Sequence, residues 1–271
     1  MKKLLVRLAR EITGPFLYRK KLPGEFGNER IFVTSRSDIR LLAPGFERAA
    51  ADLFQVVRHY VAPGDTVWDI GSNLGILTFS AAIRVGPSGR VYSLEADPRY
   101  ADIQSRTLRG FTRNSGRVSI LCAAVAGQAG VLDLVIPRKG HARNHLRIVS
   151  GNSAGEPEMT KQVVTLTLDW LLDYWNPPQF VKIDVEGAEL LATEGGDRLF
   201  SEIRPSCYIE CAPENSGWMT RYFTQRDYLL YALDAAGHEV AIRQFAFNTV
   251  VIPREKRPEC ATGEVTGTRP V

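Results

Sequence analysis

Between Thr66 and Cys122 the chain twice repeats one unit: a short apolar run, a turn, and a stretch whose apolar residues recur at helical spacing. The runs are TVWDIG, RVYSLEAD and RVSILCAAVAG. Between them lie LGILTFSAAIRVG and RYADIQSRTLRGFTRN, with Pro98 placed for the first turn of the second helix. Apolar runs joined by helix-length connections predict the order β-α-β-α-β, and therefore a parallel sheet with right-handed crossovers. No other feature of the sequence restricts the fold as strongly.

The flanking segments fit around this unit. Upstream, ERAAADLFQVVRHYV (47–61) predicts a helix that ends before the turn APGD. Downstream, GVLDLVIP and QVVTLTLDWLL read as strands around the polar stretch RKGHARNHLRIVSGNSAGEPEMTK, which is long for a loop and of the kind used as a lid. QFVKIDVEG predicts a fourth core strand, AELLATEGGDRLF a helix ending near Gly195, and RPSCYIECA a fifth strand. MTRYFTQRDYLLYALDAAG reads as one long helix closed by Gly237. HEVAIRQ and NTVVIP read as a strand pair joined by FAF. The predicted fold class is α/β: a doubly wound, Rossmann-like sheet, mostly parallel, with an antiparallel C-terminal hairpin. Residues 1–45 read as a basic N-terminal arm and 46–253 as the domain, with an insertion at about 130–165. Residues 254–271, rich in Pro, Gly, Thr and charge, read as a mobile tail.

Charge separates the arm from the rest. The 271 residues carry a net charge of +4, but residues 1–40 hold ten Lys/Arg against four Asp/Glu, leaving −2 for the remainder. The arm reads either as a solvated segment or as a contact for an anionic surface such as membrane lipid. Leu4, Leu5, Leu8 and Ile12 sit at helical spacing within it. No apolar run reaches the ~18 residues of a membrane span, and MKKLLVRLAR is too interrupted by Arg for a signal peptide. The four cysteines form no C-x-x-C pair and no zinc-like spacing, so they read as reduced thiols in a cytoplasmic protein.

The polar groups gather where such a sheet binds ligands, outside the carboxyl ends of its strands. Gly71 and Gly75 follow the first strand in GSNLG, a spacing that lacks the G-x-G-x-x-G dinucleotide fingerprint. Gly71 permits a tight turn, and the helix that follows offers free N–H groups to an anionic group. Glu95 ends the second strand, where an acid accepts hydrogen bonds from ribose hydroxyls. Asp69, inside the first strand, has two readings: a carboxylate aimed at a cationic part of a ligand, or an anchor for its own turn. In KIDVEGAE, period-two alternation puts Lys182, Asp184 and Glu186 on one face of the fourth strand. Three such charges cannot all be buried unpaired, so they are expected to line a cleft, with Lys182 pairing one of the acids. Glu189 reads as a helix-start acid, and Glu210 ends the fifth strand. Asp69, Glu95, Asp184, Glu186 and Glu210 are thus expected around one cleft.

These residues resemble a family. VWDIGSNLGILTFSAA, VYSLEADP, FVKIDVEGAELLATEG, PSCYIE and NTVVIP are similar to segments of the FkbM-type methyltransferases, over roughly Phe46 to Pro253. KIDVEGAE is the specific element, because the glycine turn is common to most methyltransferases of this class. The resemblance implies a cofactor, S-adenosyl-L-methionine. Asp69, Gly71, Ser72, Asn73 and Gly75 would cradle its methionine part and Glu95 its ribose, with Asp184 beside the sulfonium end and Glu186 near the acceptor. Ser72 stands where alanine is usual. Ala123 and Ala124 offer no acid to the adenine, so main-chain groups near Ala124 would serve.

The implied reaction is methyl transfer to a hydroxyl of a small molecule or sugar. A hydroxyl needs its proton removed, and Asp184, Glu186, Glu210 and the insertion histidines His141 and His145 are the candidate bases. Clustered carboxylates also suit a hard cation, but no metal is expected. NPPQF (176–180) resembles an element of DNA amino-methyltransferases, yet it precedes the fourth strand instead of following it and reads as a turn. The rival function is an NAD-dependent oxidoreductase, disfavoured by the glycine spacing and the KIDVEGAE acids. A nucleic-acid binder is disfavoured by the acidic cleft.

Overall fold

Val67, Trp68, Asp69 and Ile70 are all buried, as a strand covered on both faces requires. The computed structural model describes residues 12–113, 117–137, 145–146, 157–234 and 237–257. The chain opens with a hairpin, β1 (Tyr18–Lys21) and β2 (Arg30–Val33), followed by α1 (Phe46–Ala49) and α2 (Ala51–Tyr60). The repeated unit then forms β3 (Thr66–Ile70), α3 (Ile76–Val85), β4 (Arg90–Glu95), α4 (Pro98–Gly110) and β5 (Val118–Cys122). The insertion follows as β6 (Ala124–Val125), β7 (Gly130–Pro137), β8 (His145–Leu146) and β9 (Pro157–Leu166). After α5 (Leu168–Leu171) come β10 (Phe180–Ile183), α6 (Glu189–Glu194), β11 (Ser206–Glu210) and α7 (Ser216–Gln225). The described chain closes with β12 (Tyr228–Leu233), β13 (Glu239–Ala241) and β14 (Asn248–Pro253).

The central sheet has the order β13-β12-β14-β11-β10-β3-β4-β5. Its five strands from β11 to β5 are parallel, as expected. The order runs one way from β3 through β4 to β5 and the other way from β3 to β10, so the switch point lies between β3 and β10. That is where open α/β sheets bind ligands. Alternate residues feed two cores: Val67 joins a cluster under α2, α3 and α4, while Trp68 and Ile70 join one under α6 and α7. NPPQF is a turn locked to the strands: Trp68 Nε1 donates to Asn176 O at 3.1 Å and Tyr92 Oη to Asn176 Oδ1 at 2.7 Å.

Several expectations fail for local reasons. The predicted helix over 219–237 stops at Gln225, and Asp227 turns the chain with φ +58°. YLLYAL is then a strand, because its side chains alternate: Tyr228 and Leu230 enter one core, Leu229, Tyr231 and Leu233 the other. β13 and β14 do not pair with each other, since β12 lies between them and binds both. The strand expected through TLDWLL ends at Leu166, where the Thr167 side chain caps α5 by accepting from Trp170 N. The third strand leaves the central sheet at Ala123, and β6 pairs with β9 in a separate four-stranded sheet with β7 and β8. Strands β7 and β9 lie where GVLDLVIP and QVVTLT were expected, but β9 begins at Pro157, inside the stretch read as loop, and His145–Leu146 of that stretch form β8. The N-terminal segment from the hairpin onward is built into the fold: Leu22, Phe26, Ile31, Val33 and Leu41 pack in one cluster with Phe46, Phe54 and Phe79. His141, most of the polar stretch and the tail beyond residue 257 lie outside the described residues.

Candidate functional site

The two glycine-bearing turns meet at the switch point. Gly71 takes φ +74°, and a Cβ placed on it would lie 1.9 Å from the carbonyl oxygen of Asp184. Glycine is thus required at 71 so that the backbone after β3 can touch the backbone after β10. Asp184 N donates to Ile70 O, while Gly71 N and Ser72 N donate to Leu94 O. Gly75 also has positive φ, and a Cβ there would press on Phe79 and Gln104. Both glycines make room for neighbouring parts of the protein itself.

Lys182 ties the turns together. Its ammonium is buried, donates to Gly71 O at 2.7 Å, and lies 3.2 Å from Asp184 Oδ2 and 3.5 Å from Asp69 Oδ1. Burial alone would lower the Lys182 pKa, but Asp184 and then Asp69 outweigh it and raise the group above its ordinary value. Asp69 Oδ2 accepts from Thr78 Oγ1 at 2.6 Å, whereas Oδ1 is buried with an ion pair but no hydrogen bond among the described residues. The period-two face predicted for Lys182, Asp184 and Glu186 stops with the strand at Ile183. Glu186 sits in the turn with φ +45°.

The Ser72 hydroxyl accepts from Gln104 Nε2 at 2.8 Å and from Ser93 Oγ at 2.7 Å. Asn73 has φ +52°, and its Oδ1 accepts from Ser37 Oγ at 2.9 Å. Glu95 is buried and accepts from Asn73 N at 2.6 Å and Asp97 N at 2.8 Å. Burial raises its pKa to about 7, against the pull of those two N–H groups. Glu189 caps its turn by accepting from Gly187 N at 2.6 Å and from Asn215 Nδ2 at 2.9 Å.

One cavity of about 320 Å³ opens above these turns, at the small end of the range for ligand sites. All five expected acids, Asp69, Glu95, Asp184, Glu186 and Glu210, line it, as do Gly71, Ser72, Asn73 and Ala124. Gly75 is not among its lining residues. His145 lies on β8, paired with Val135 of β7. Carboxylate oxygens of Asp184, Glu186 and Glu210 lie within 4.8 Å of one another, close enough to share one cation. Burial, and next the charge of Asp184, push the Glu210 pKa up to about 7. Among the described residues the Glu210 carboxylate has no hydrogen bond. Asn248, its register partner on β14, has Oδ1 buried and without one.

Sequence reasoning misses the rest of the wall. Tyr208 shares the cavity with Glu210, two positions on, and only the alternation in SCYIE could have marked it. Asn248 is found only through strand register. Ser37, Asp52 and Tyr100 carry no sequence signal, although the Tyr100 hydroxyl is buried without a partner among the described residues.

A parallel sheet whose switch point is a glycine turn ringed by acids is the architecture of the nucleotide-binding α/β folds. The family follows from the whole sequence: residues 69–235 match the methyltransferase FkbM domain, more than half of the chain, and the protein belongs to that methyltransferase family. The match does not favour the oxidoreductase alternative. The fold agrees: a methyltransferase FkbM from Methylobacillus flagellatus KT superposes with a TM-score of 0.50 at 16% identity, covering 73% of this chain and 47% of that one. This chain thus spans about half the length of that protein. A precorrin-6y C5,15-methyltransferase from Geobacter metallireducens GS-15 gives a TM-score of 0.45 at 15% identity, over 79% of this chain and 90% of that one. A SAM-dependent O-methyltransferase from Thermotoga maritima gives 0.41 at 11% identity, over 80% and 68%. No curated protein matches the sequence. Among the described residues no helix is long and apolar enough to cross a membrane.

The cavity suits the cofactor that the family implies. An amino acid joined to a nucleoside presents an ammonium and ribose hydroxyls, which are hydrogen-bond donors. The residues at the Gly71 end offer acceptors: the unsatisfied Asp69 Oδ1, and a Glu95 carboxylate with two of its roughly four acceptor positions in use.

Proposed function

We propose that the protein uses S-adenosyl-L-methionine to methylate a hydroxyl of a small molecule or sugar, with Glu210 as the base. The observation that carries this reading is the division of one cavity. At the Gly71 end, acids are tied to backbone and to Lys182. At the Glu210 end, the acceptors Glu210 and Asn248 Oδ1 have no hydrogen bond among the described residues.

When bound, S-adenosyl-L-methionine supplies an electrophilic methyl group. Asp69, Gly71, Ser72, Asn73, Glu95, Ala124 and Asp184, which line the cavity, would hold it. Glu95 accepts hydroxyl donors while its own position is fixed by Asn73 N and Asp97 N. Lys182 fixes Asp184 and Gly71 relative to each other, and such positioning is a main source of rate in group transfer.

At the other end, Glu210 accepts from the hydroxyl to be methylated, and Asn248 Oδ1 is left to accept from a second donor of the acceptor molecule. Glu210 then takes the proton that the hydroxyl must lose, and a base whose pKa lies near the working pH does this best. Glu186, and His145 on the insertion, are the further candidates for that role. No nucleic acid is needed in a cleft this acidic.

Titration calorimetry with S-adenosyl-L-methionine and NAD side by side tests the cofactor. Heat of binding is expected for the first alone, and binding of NAD without S-adenosyl-L-methionine would overturn the reading. Methylated product from neutral sugars, located on oxygen by NMR, tests the acceptor.

A further inference from the structure

On the flank of the sheet formed by β1, β2 and α4, arginines gather with few acids to pair them. Arg99, Arg106 and Arg109 lie along one stripe of α4 at helical spacing. Arg19 and Arg30 come from the hairpin, which is fixed to the helix where Phe32 N donates to Thr107 Oγ1 at 3.0 Å. Arg36 follows the hairpin. Arg106 is at the junction, lining both a hollow with Arg19, Arg30 and Arg109 and a second with Arg36 and Arg99.

Of these six, only Arg106 has an acid partner among the described residues, Asp102 at 2.8 Å. Arg19 lies over the Phe32 ring at 5.0 Å, which orients its guanidinium but leaves the charge uncompensated. Nη1 of Arg99 is buried with no hydrogen bond among the described residues, where buried polar groups ordinarily have one. The other acid lining these hollows, Glu29, is buried and occupied by the Thr112 hydroxyl at 2.5 Å. Gathering five unpaired arginines also costs self-repulsion. The face therefore fits an anion-rich partner.

Two apolar side chains next to it indicate which. Ile12 and Phe16 are 63% and 61% exposed, and the chain between them, Gly14 and Pro15, lines the second hollow. The eleven residues that precede Ile12 repeat this mixture in sequence, with Lys2, Lys3, Arg7 and Arg10 among Leu4, Leu5 and Leu8. Arginines bordered by exposed large apolar residues match a bilayer interface, where phosphates take the charge and the acyl boundary takes the apolar groups. A nucleic acid would use the arginines and leave Ile12 in water.

We infer that this flank docks the enzyme onto an anionic phospholipid bilayer as a peripheral protein. Docking would leave the Glu210 end of the cavity, on the opposite edge of β3, to its acceptor. The inference is independent of which acceptor is methylated.

Flotation of the full chain with vesicles tests it. Binding is expected to vesicles of equal parts phosphatidylcholine and phosphatidylglycerol, weakening as salt rises, and not to phosphatidylcholine alone. Each arginine neutralised should weaken binding about fivefold, which corresponds to ~1 kcal/mol per basic residue. The variant R19Q/R30Q/R109Q should therefore lose most of its binding with an unchanged thermal melt, because all three side chains are exposed. Phe16→Ser should weaken the part that survives salt. Equal binding to neutral vesicles, retained binding in the triple variant, or tighter binding to an oligonucleotide than to anionic vesicles would each overturn the inference.

Discussion

At the Gly71 end of the cavity nearly every polar side chain is tied to another part of the protein, whereas at the Glu210 end two acceptors are not. Lys182 bridges Gly71, Asp69 and Asp184, and Glu95 holds the N–H groups of Asn73 and Asp97. Glu210 and Asn248 Oδ1, register partners across β11 and β14, have no such ties among the described residues. One end is built to keep its shape without a ligand, and the other leaves its hydrogen bonds to whatever enters. The contrast predicts that mutations at the first end act on stability and at the second on catalysis.

The largest effect is expected at Gly71. Gly71→Ala puts a Cβ against Asp184 O at a positive φ, so the two turns must separate. Denaturant unfolding should show a loss on the order of 4 kcal/mol or more. Unchanged stability would mean that the turns need not touch. Next is Lys182→Met, which leaves Asp69 buried without a counter-charge and should cost about 3–5 kcal/mol. Adding Asp69→Asn should restore part of that loss, and the double-mutant cycle measures how much.

Glu210→Gln should lower turnover about 100-fold, ~2.7 kcal/mol of barrier, without loss of stability. Its pKa is raised, so the ionised base is present only above about pH 7. Turnover should therefore rise through that pH in the native enzyme and lose this limb in the variant. The sign for stability is opposite. A folded-state pKa above the ordinary 4.5 favours the protonated native state. That contribution is full below about pH 4.5 and is lost as the pH rises through 7, so the variant should be the more stable of the two at pH 8. Asn248→Ala should have the smallest effect, about tenfold in KM, the scale of one hydrogen bond.

The same contrast explains what could be read from sequence. Asp69, Gly71, Glu95 and Asp184 sit in short local patterns, and a parallel sheet brings strand ends together wherever the strands lie in the chain. The five parallel strands were legible for that reason. The Glu210 end depends on pairing that no local pattern states. Asn248 reaches Glu210 through antiparallel register, Ser37 and Asp52 arrive from the N-terminal segment, and YLLYAL has apolar spacing that suits a helix as well as a strand. The strain at Asp227 that decides between them is a property of one backbone angle. Gly71 shows the limit from the other side: the glycine was legible, but not that Asp184 O occupies the space beside it.

The division of the cavity is tested most directly by titrating S-adenosylhomocysteine into Glu95→Ala and Glu210→Gln. Affinity is expected to fall at least about tenfold in Glu95→Ala, the scale of a hydrogen bond to a charged group, and to match the native enzyme in Glu210→Gln. Equal loss in both variants, or loss in Glu210→Gln alone, would contradict it.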